Sequence, residues 1–89
     1  MIESFKSRET EKLFNRERSH KLPPEIQKTA LRKLWMLDAA MTLNELKVPP
    51  NNQLEALKGE RKGQHSIRIN RQWRIHDGQA RNVEIVDYH

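Results

Sequence analysis

The sequence contains no cysteine, so neither a disulfide framework nor a thiolate metal site is open to it. A small domain without disulfides suits a reducing compartment, or a fold that gains stability from a partner. No apolar run approaches the ~20 residues that a membrane span requires. The first residues, Met1-Ile2-Glu3-Ser4-Phe5-Lys6, lack the apolar core of a secretion signal. The expected compartment is the cytoplasm. None of the four histidines is spaced i, i+4 from another as in a helical zinc site, so no metal and no cofactor is expected. There is no internal repeat and no low-complexity stretch. Apolar residues make up only 35% of the 89 positions, against 33% charged. That length leaves room for one domain, residues 1–89, with a small core.

What the chain does have is a change of period. A short first helix is expected over about 5–14, followed by the polar loop 15–21. Pro23-Pro24 opens a second helix, because proline suits a first turn whose N–H groups have no helical partner. Ile26, Ala30, Leu34, Leu37 and Met41 are spaced as one helix face, which Leu31 and Trp35 widen. Thr42 to Leu46 reads as one more helical turn, ended by Pro49-Pro50 and Asn51-Asn52. From Ser66 the period becomes two. Ser66-Ile67-Arg68-Ile69-Asn70, Trp73-Arg74-Ile75 and Val83-Glu84-Ile85-Val86-Asp87-Tyr88 read as strands, with Asp77-Gly78 as a turn signal. Leu54-Glu55-Ala56-Leu57 is a further candidate strand. The expected class is α+β: two N-terminal helices packed on one face of a small antiparallel sheet. Alternation turns Ile67, Ile69, Trp73 and Ile75 to the helices and Arg68 and Arg74 to the other face.

The net charge is +5, and it sits in one place. Residues 58–81 carry Lys58, Arg61, Lys62, Arg68, Arg71, Arg74 and Arg81 against only Glu60 and Asp77, while the rest of the chain is balanced. A phosphate-bearing partner is one reading, a solvated basic face the other. An arginine-bearing sheet face beside the basic turn Lys58-Gly59-Glu60-Arg61-Lys62-Gly63 would make a positive groove suited to RNA. Arg61, Lys62, Arg68 and Arg71 are its expected RNA-binding cations.

Several stretches together resemble the HigB toxins of the RelE superfamily: Leu54-Glu55-Ala56-Leu57-Lys58-Gly59-Glu60-Arg61-Lys62-Gly63, then Ser66-Ile67-Arg68-Ile69-Asn70, then Gln72-Trp73-Arg74-Ile75, and a final Asp87-Tyr88-His89. The opening Met1 to Lys6 and the helix containing Leu34-Trp35-Met36-Leu37-Asp38 are similar too. The resemblance spans nearly the whole chain. It implies a microbial RelE-type fold and the toxin of a type II toxin–antitoxin pair. It implies metal-independent cleavage of mRNA on the ribosome, which inhibits translation. A HigA-like helix-turn-helix antitoxin would silence it, and operator DNA would be met only through that antitoxin.

Metal-free RNA cleavage needs a base for the ribose 2′-OH, an acid for the departing 5′-oxygen, and cations for the charge that grows on phosphorus. Lys58 and Arg74 are the candidates for the phosphate. On spacing alone they read more readily as ordinary surface cations, but the resemblance aligns both with active-site cations. His89 is the candidate acid, since an imidazole titrates near neutrality; its own terminal carboxylate is expected to favour the protonated form. The bland alternative for His89 is a frayed terminus. Tyr88 could stack on a base, bond a phosphate or merely pack on the sheet edge. Asp87 could orient His89 or accept a proton. Glu55 stands where HigB toxins often carry histidine. It is the candidate base, as in related RelE-type toxins that use glutamate, or else an ordinary strand-edge carboxylate. His20, His65 and His76 lie in or beside turns and are set aside.

A second departure follows Ile75. Where the family carries a longer hairpin with an aromatic extension, this chain runs directly into His76-Asp77-Gly78, about four residues shorter. An even deletion keeps the alternation of side chains, but it removes apolar area from a small core. A weakened toxin that binds antitoxin or RNA without efficient cleavage is therefore the alternative reading. A basic nucleic-acid-binding domain of unrelated role is a third, and predicts that Lys58, Arg74 and His89 do not converge.

Overall fold

The computed structural model describes residues 1–87. Helix α1 spans Arg8–Phe14 and α2 spans Pro24–Ala39. Short 3₁₀ turns at Leu43–Lys47 and Pro50–Asn52 lead into the strands. These are β1 (Glu55–Ala56), β2 (His65–Arg68), β3 (Trp73–Gly78) and β4 (Arg81–Asp87), with a 3₁₀ turn at Gly59–Arg61 between the first two. The four strands form one antiparallel sheet in sequence order. The expected class is therefore the observed one: two helices and a small antiparallel sheet.

The core lies between helices and sheet. Leu13 of α1 and Ile26, Ala30, Leu34 and Leu37 of α2 pack with Ile67, Ile75, Val83 and Ile85. The predicted helix stripe holds up to Leu37 and fails at Met41, which is 91% exposed. The reason is a competing cap. Glu45 Oε2 accepts from the N–H groups of both Met41 and Thr42 at 2.7 Å, so the next turn takes Met41's donor and α2 stops at Ala39. Trp35 is also 41% exposed, with the Arg16 guanidinium 4.7 Å from its ring centroid rather than core around it.

The first helix begins later than its composition predicts. Residues 3–6 instead run extended beside β4: Lys6 N donates to Val83 O at 2.9 Å and Val83 N to Ser4 O at 3.1 Å, with a parallel bridge between Phe5 and Val83. Ser7 then caps α1 through Thr10 N. Thr10 is wholly buried and its hydroxyl accepts from Ile85 N at 2.9 Å. The outer edge of β4 is thus covered by the N-terminal segment and α1.

The hairpin between β3 and β4 turns two positions later than Asp77-Gly78 suggests. Gly78 pairs with Arg81 inside the ladder. The turn residues are Gln79 and Ala80, both at positive φ (52° and 64°), the type I′ conformation that matches strand twist. Asp77 sets this turn, its carboxylate accepting from Ala80 N at 2.8 Å. An alanine in the left-handed region costs about 1 kcal/mol. Ala80→Gly is therefore expected to stabilise the fold by about that amount and raise the thermal midpoint by roughly 4–8 °C. An unchanged or lower midpoint would contradict the turn assignment.

Candidate active site

The strand register defines a second face, away from the helices. Glu55 pairs with Ser66, Ser66 with His76, and His76 with Glu84. The next row is Arg68, Arg74 and Val86. Directly opposed residues on one face stand about 4.5–5.5 Å apart at Cβ, so each row sets its residues side by side. Ile67, Ile75 and Ile85, one step out of phase, face the core.

Arg74 is the anchor of this face, and it is not the open lining that alternation alone suggests. It is only 6% exposed. Its Nε donates to Ser66 Oγ, and its Nη2 donates to Gln53 O at 2.6 Å and to Ser66 O at 3.3 Å. The chain before β1 folds over the guanidinium and supplies a carbonyl acceptor. A buried arginine without such acceptors would be costly. Here it is held in one orientation.

His76 sits in the adjacent row, also 6% exposed. Its Nδ1 lies 3.1 Å from Arg61 Nη1. A guanidinium can only donate, so Nδ1 accepts, and the ring is a neutral imidazole with its proton on Nε2. Arg61 also approaches Glu84 at 3.9 Å, and Lys6 approaches the same carboxylate at 3.8 Å. Burial, and then the Arg61 charge, hold the imidazole below its ordinary value; Arg74 acts in the same direction, while Glu84 and Glu55 oppose it. The unfolded chain therefore takes up this proton first as pH falls below about 6.5. Stability present above that pH is lost as acidification passes through the folded-state value. His76→Gln is expected to flatten that loss, read as the urea midpoint at pH 7.5 against pH 5.5. The same pH dependence in both proteins would contradict this account of His76.

With Asp77-Gly78 read as the turn, His76 falls beside a loop and carries no role. The signal that could have found it is its phase: position 76 alternates with Arg74. The other candidates are spread as follows. Glu55 lies on β1, in the His76 row. Lys58 is exposed just before the Gly59–Arg61 turn, whose Arg61 reaches back to the face. Lys62 is exposed beside it, and Arg71 is exposed in the turn between β2 and β3. Arg68 lies at the end of β2, with Nε donating to Asn70 O at 3.1 Å. Arg81 is drawn away by Glu3 at 2.7 Å. Asp87 is out of phase with Arg74. It pairs with Trp73, and its carboxylate accepts from Gln72 Nε2 at 3.1 Å. Tyr88 and His89 lie outside the described residues. Among the described residues, no three His, Asp or Glu side chains gather as a metal site, and no helix is long and apolar enough to cross a membrane.

Two helices laid on a four-stranded antiparallel sheet is an arrangement consistent with RelE-like toxins. The sequence agrees with the fold. The family model of the HigB-like toxins, described as the RelE-like toxin of the type II toxin–antitoxin system HigB, matches residues 3–89, and the chain belongs to that family. It is 40% identical over 76 residues to Toxin HigB-1 of Vibrio cholerae serotype O1, covering 84% of this chain and 80% of that protein. It is also 40% identical over 53 residues to an uncharacterized protein of Haemophilus influenzae, covering 60% of this chain and 52% of that one.

Proposed function

We propose that this toxin is a metal-independent endoribonuclease that cuts mRNA on the ribosome and so inhibits translation in the cytoplasm. A HigA-like helix-turn-helix antitoxin neutralises it, and operator DNA is reached only through that antitoxin. The observation that carries the reading is Arg74: a buried, hydrogen-bonded guanidinium on the same sheet face as Glu55, His76 and the Arg61 turn.

In this reading the ribose 2′-OH gives its proton to Glu55 and its oxygen attacks the adjacent phosphorus. Arg74 and Lys58 meet the charge that develops on the phosphate oxygens. The bond to the 5′-oxygen breaks, and that oxygen takes a proton from His89. The products are a 2′,3′-cyclic phosphate and a 5′-hydroxyl. Asp87 orients His89, and Tyr88 stacks on a base. Arg61, Lys62, Arg68 and Arg71 bind neighbouring phosphates.

The alternative, a weakened toxin that binds antitoxin or RNA without efficient cleavage, draws on the burial of Arg74 and on the two carboxylates, Glu55 and Glu84, in one row of the face. Controlled expression without antitoxin separates the two. Growth arrest with mRNA ends mapping inside reading frames, both lost in His89→Gln, supports the nuclease. Tight antitoxin binding with normal growth supports the weakened form.

A further inference from the structure

A cationic cavity lies apart from the Glu55–His76 row, at the junction of α2 with the end of β2. It measures about 300 Å³ and is lined by Thr29, Arg32, Lys33, Asn51, Arg68 and Asn70 among others. Three of these are cations and none is an acid. Among the described residues no ion pair reaches Arg32, Lys33 or Arg68.

Lys33 makes the arrangement unusual. It is 2% exposed, and its ammonium donates to the carbonyl oxygen of the Asn52 side chain, a neutral acceptor. Asn52 is itself fully buried and fixed by a bond from its Nδ2 to Leu46 O at 3.1 Å. Burial, then the charges of Arg32 and Arg68, push the Lys33 ammonium below its ordinary value. Burying an ammonium is costly unless a counter-charge accompanies it, and two flanking guanidiniums add repulsion. A packing role would be met as well by an apolar side chain.

We propose that this cavity is a phosphate-binding site distinct from the catalytic one. An incoming phosphate supplies the missing counter-charge, the two guanidiniums offer planar forks, and Lys33 offers a fixed point charge. The site also adjoins the cleavage face. Asn52 holds Lys33 while the next residue, Gln53, holds Arg74, and Arg68 pairs directly with Arg74 across the ladder. On the nuclease reading above, the occupant is a backbone phosphate of the same RNA strand, next to the one held by Arg74. A free phosphate is the other source of the same chemistry.

The test is a titration of the full-length protein, followed by amide chemical shifts, with two probes: inorganic phosphate, and a short oligoribonucleotide blocked from cleavage by 2′-O-methyl groups. Saturable shifts at residues 29–33 and 68–70 with either probe are expected. Arg32→Gln, an exposed position, is expected to weaken oligonucleotide binding about fivefold to tenfold and to lower the salt slope by about one. Lys33→Met is expected to remove phosphate binding while the protein remains folded by thermal melt. Shifts with the oligonucleotide assign the site to RNA; shifts with phosphate alone assign it to a free anion. No shift at these residues with either probe overturns the proposal. Shifts confined to the surroundings of Arg74 and His76 overturn it too, while leaving the nuclease reading intact.

Discussion

Arg74→Lys is expected to slow cleavage of ribosome-bound mRNA by about 10²–10³-fold, the usual loss when one preorganised electrostatic contact to a developing charge is removed. Geometry rather than charge sets this loss. A guanidinium carries five N–H donors in one plane, and this one is braced against Ser66 and Gln53. Lysine keeps the charge but concentrates its donors on a single nitrogen. That nitrogen cannot serve Ser66, Gln53 and a phosphate from the positions that Nε and Nη2 occupy. Stability is expected to fall as well, by about 1–3 kcal/mol, because buried acceptors lose their donor. A urea midpoint measured alongside the rate separates the two effects. A folded Arg74→Lys protein that cleaves within a few-fold of wild type would remove Arg74 from the site.

Glu55→Gln is expected to lower the same rate by about 10²–10⁴-fold, the range for loss of a general base. Glutamine preserves size and can accept a hydrogen bond, but it cannot carry off the 2′-OH proton. Position 55 is exposed on the short strand β1, so the substitution is expected to move stability by no more than about 0.5 kcal/mol. Loss of rate without loss of stability would place the proton acceptor here. Wild-type rate in Glu55→Gln would mean that another group takes the proton, and His76, one row position beyond Ser66 on the same face, would become the first to test.

The helix α2 and the strands β2 to β4 were legible because each buries one face against the other, and that burial writes its period into the chain. Ile26, Ala30, Leu34 and Leu37 declare 3.6; Ile67, Ile75, Val83 and Ile85 declare two. Arg74 was legible for the same reason, as the residue out of phase with Ile75. The elements that went unread depend on partners far away in sequence. Residues 5 and 6 look helical until β4 is present to pair with them. Met41 continues the helix stripe, yet Glu45 takes its N–H. Asp77-Gly78 looks like a turn, but Asp77 instead caps the true turn at Gln79-Ala80. That two-residue displacement hid His76, because it moved a buried residue of the sheet face into an imagined loop. The burial of Arg74 was unreadable because the covering carbonyl comes from Gln53, in an irregular segment with no period at all.

The chemistry of the cut RNA ends tests the proposed nuclease most directly. Purified toxin, ribosomes and a defined mRNA are sufficient to ask it, with the termini of the fragments read by end-group analysis. Fragments ending in a 2′,3′-cyclic phosphate are expected, and no cut where the nucleotide on the 5′ side of the scissile bond is 2′-deoxy. Fragments ending in a 3′-hydroxyl, or equal cleavage at the 2′-deoxy position, would contradict it.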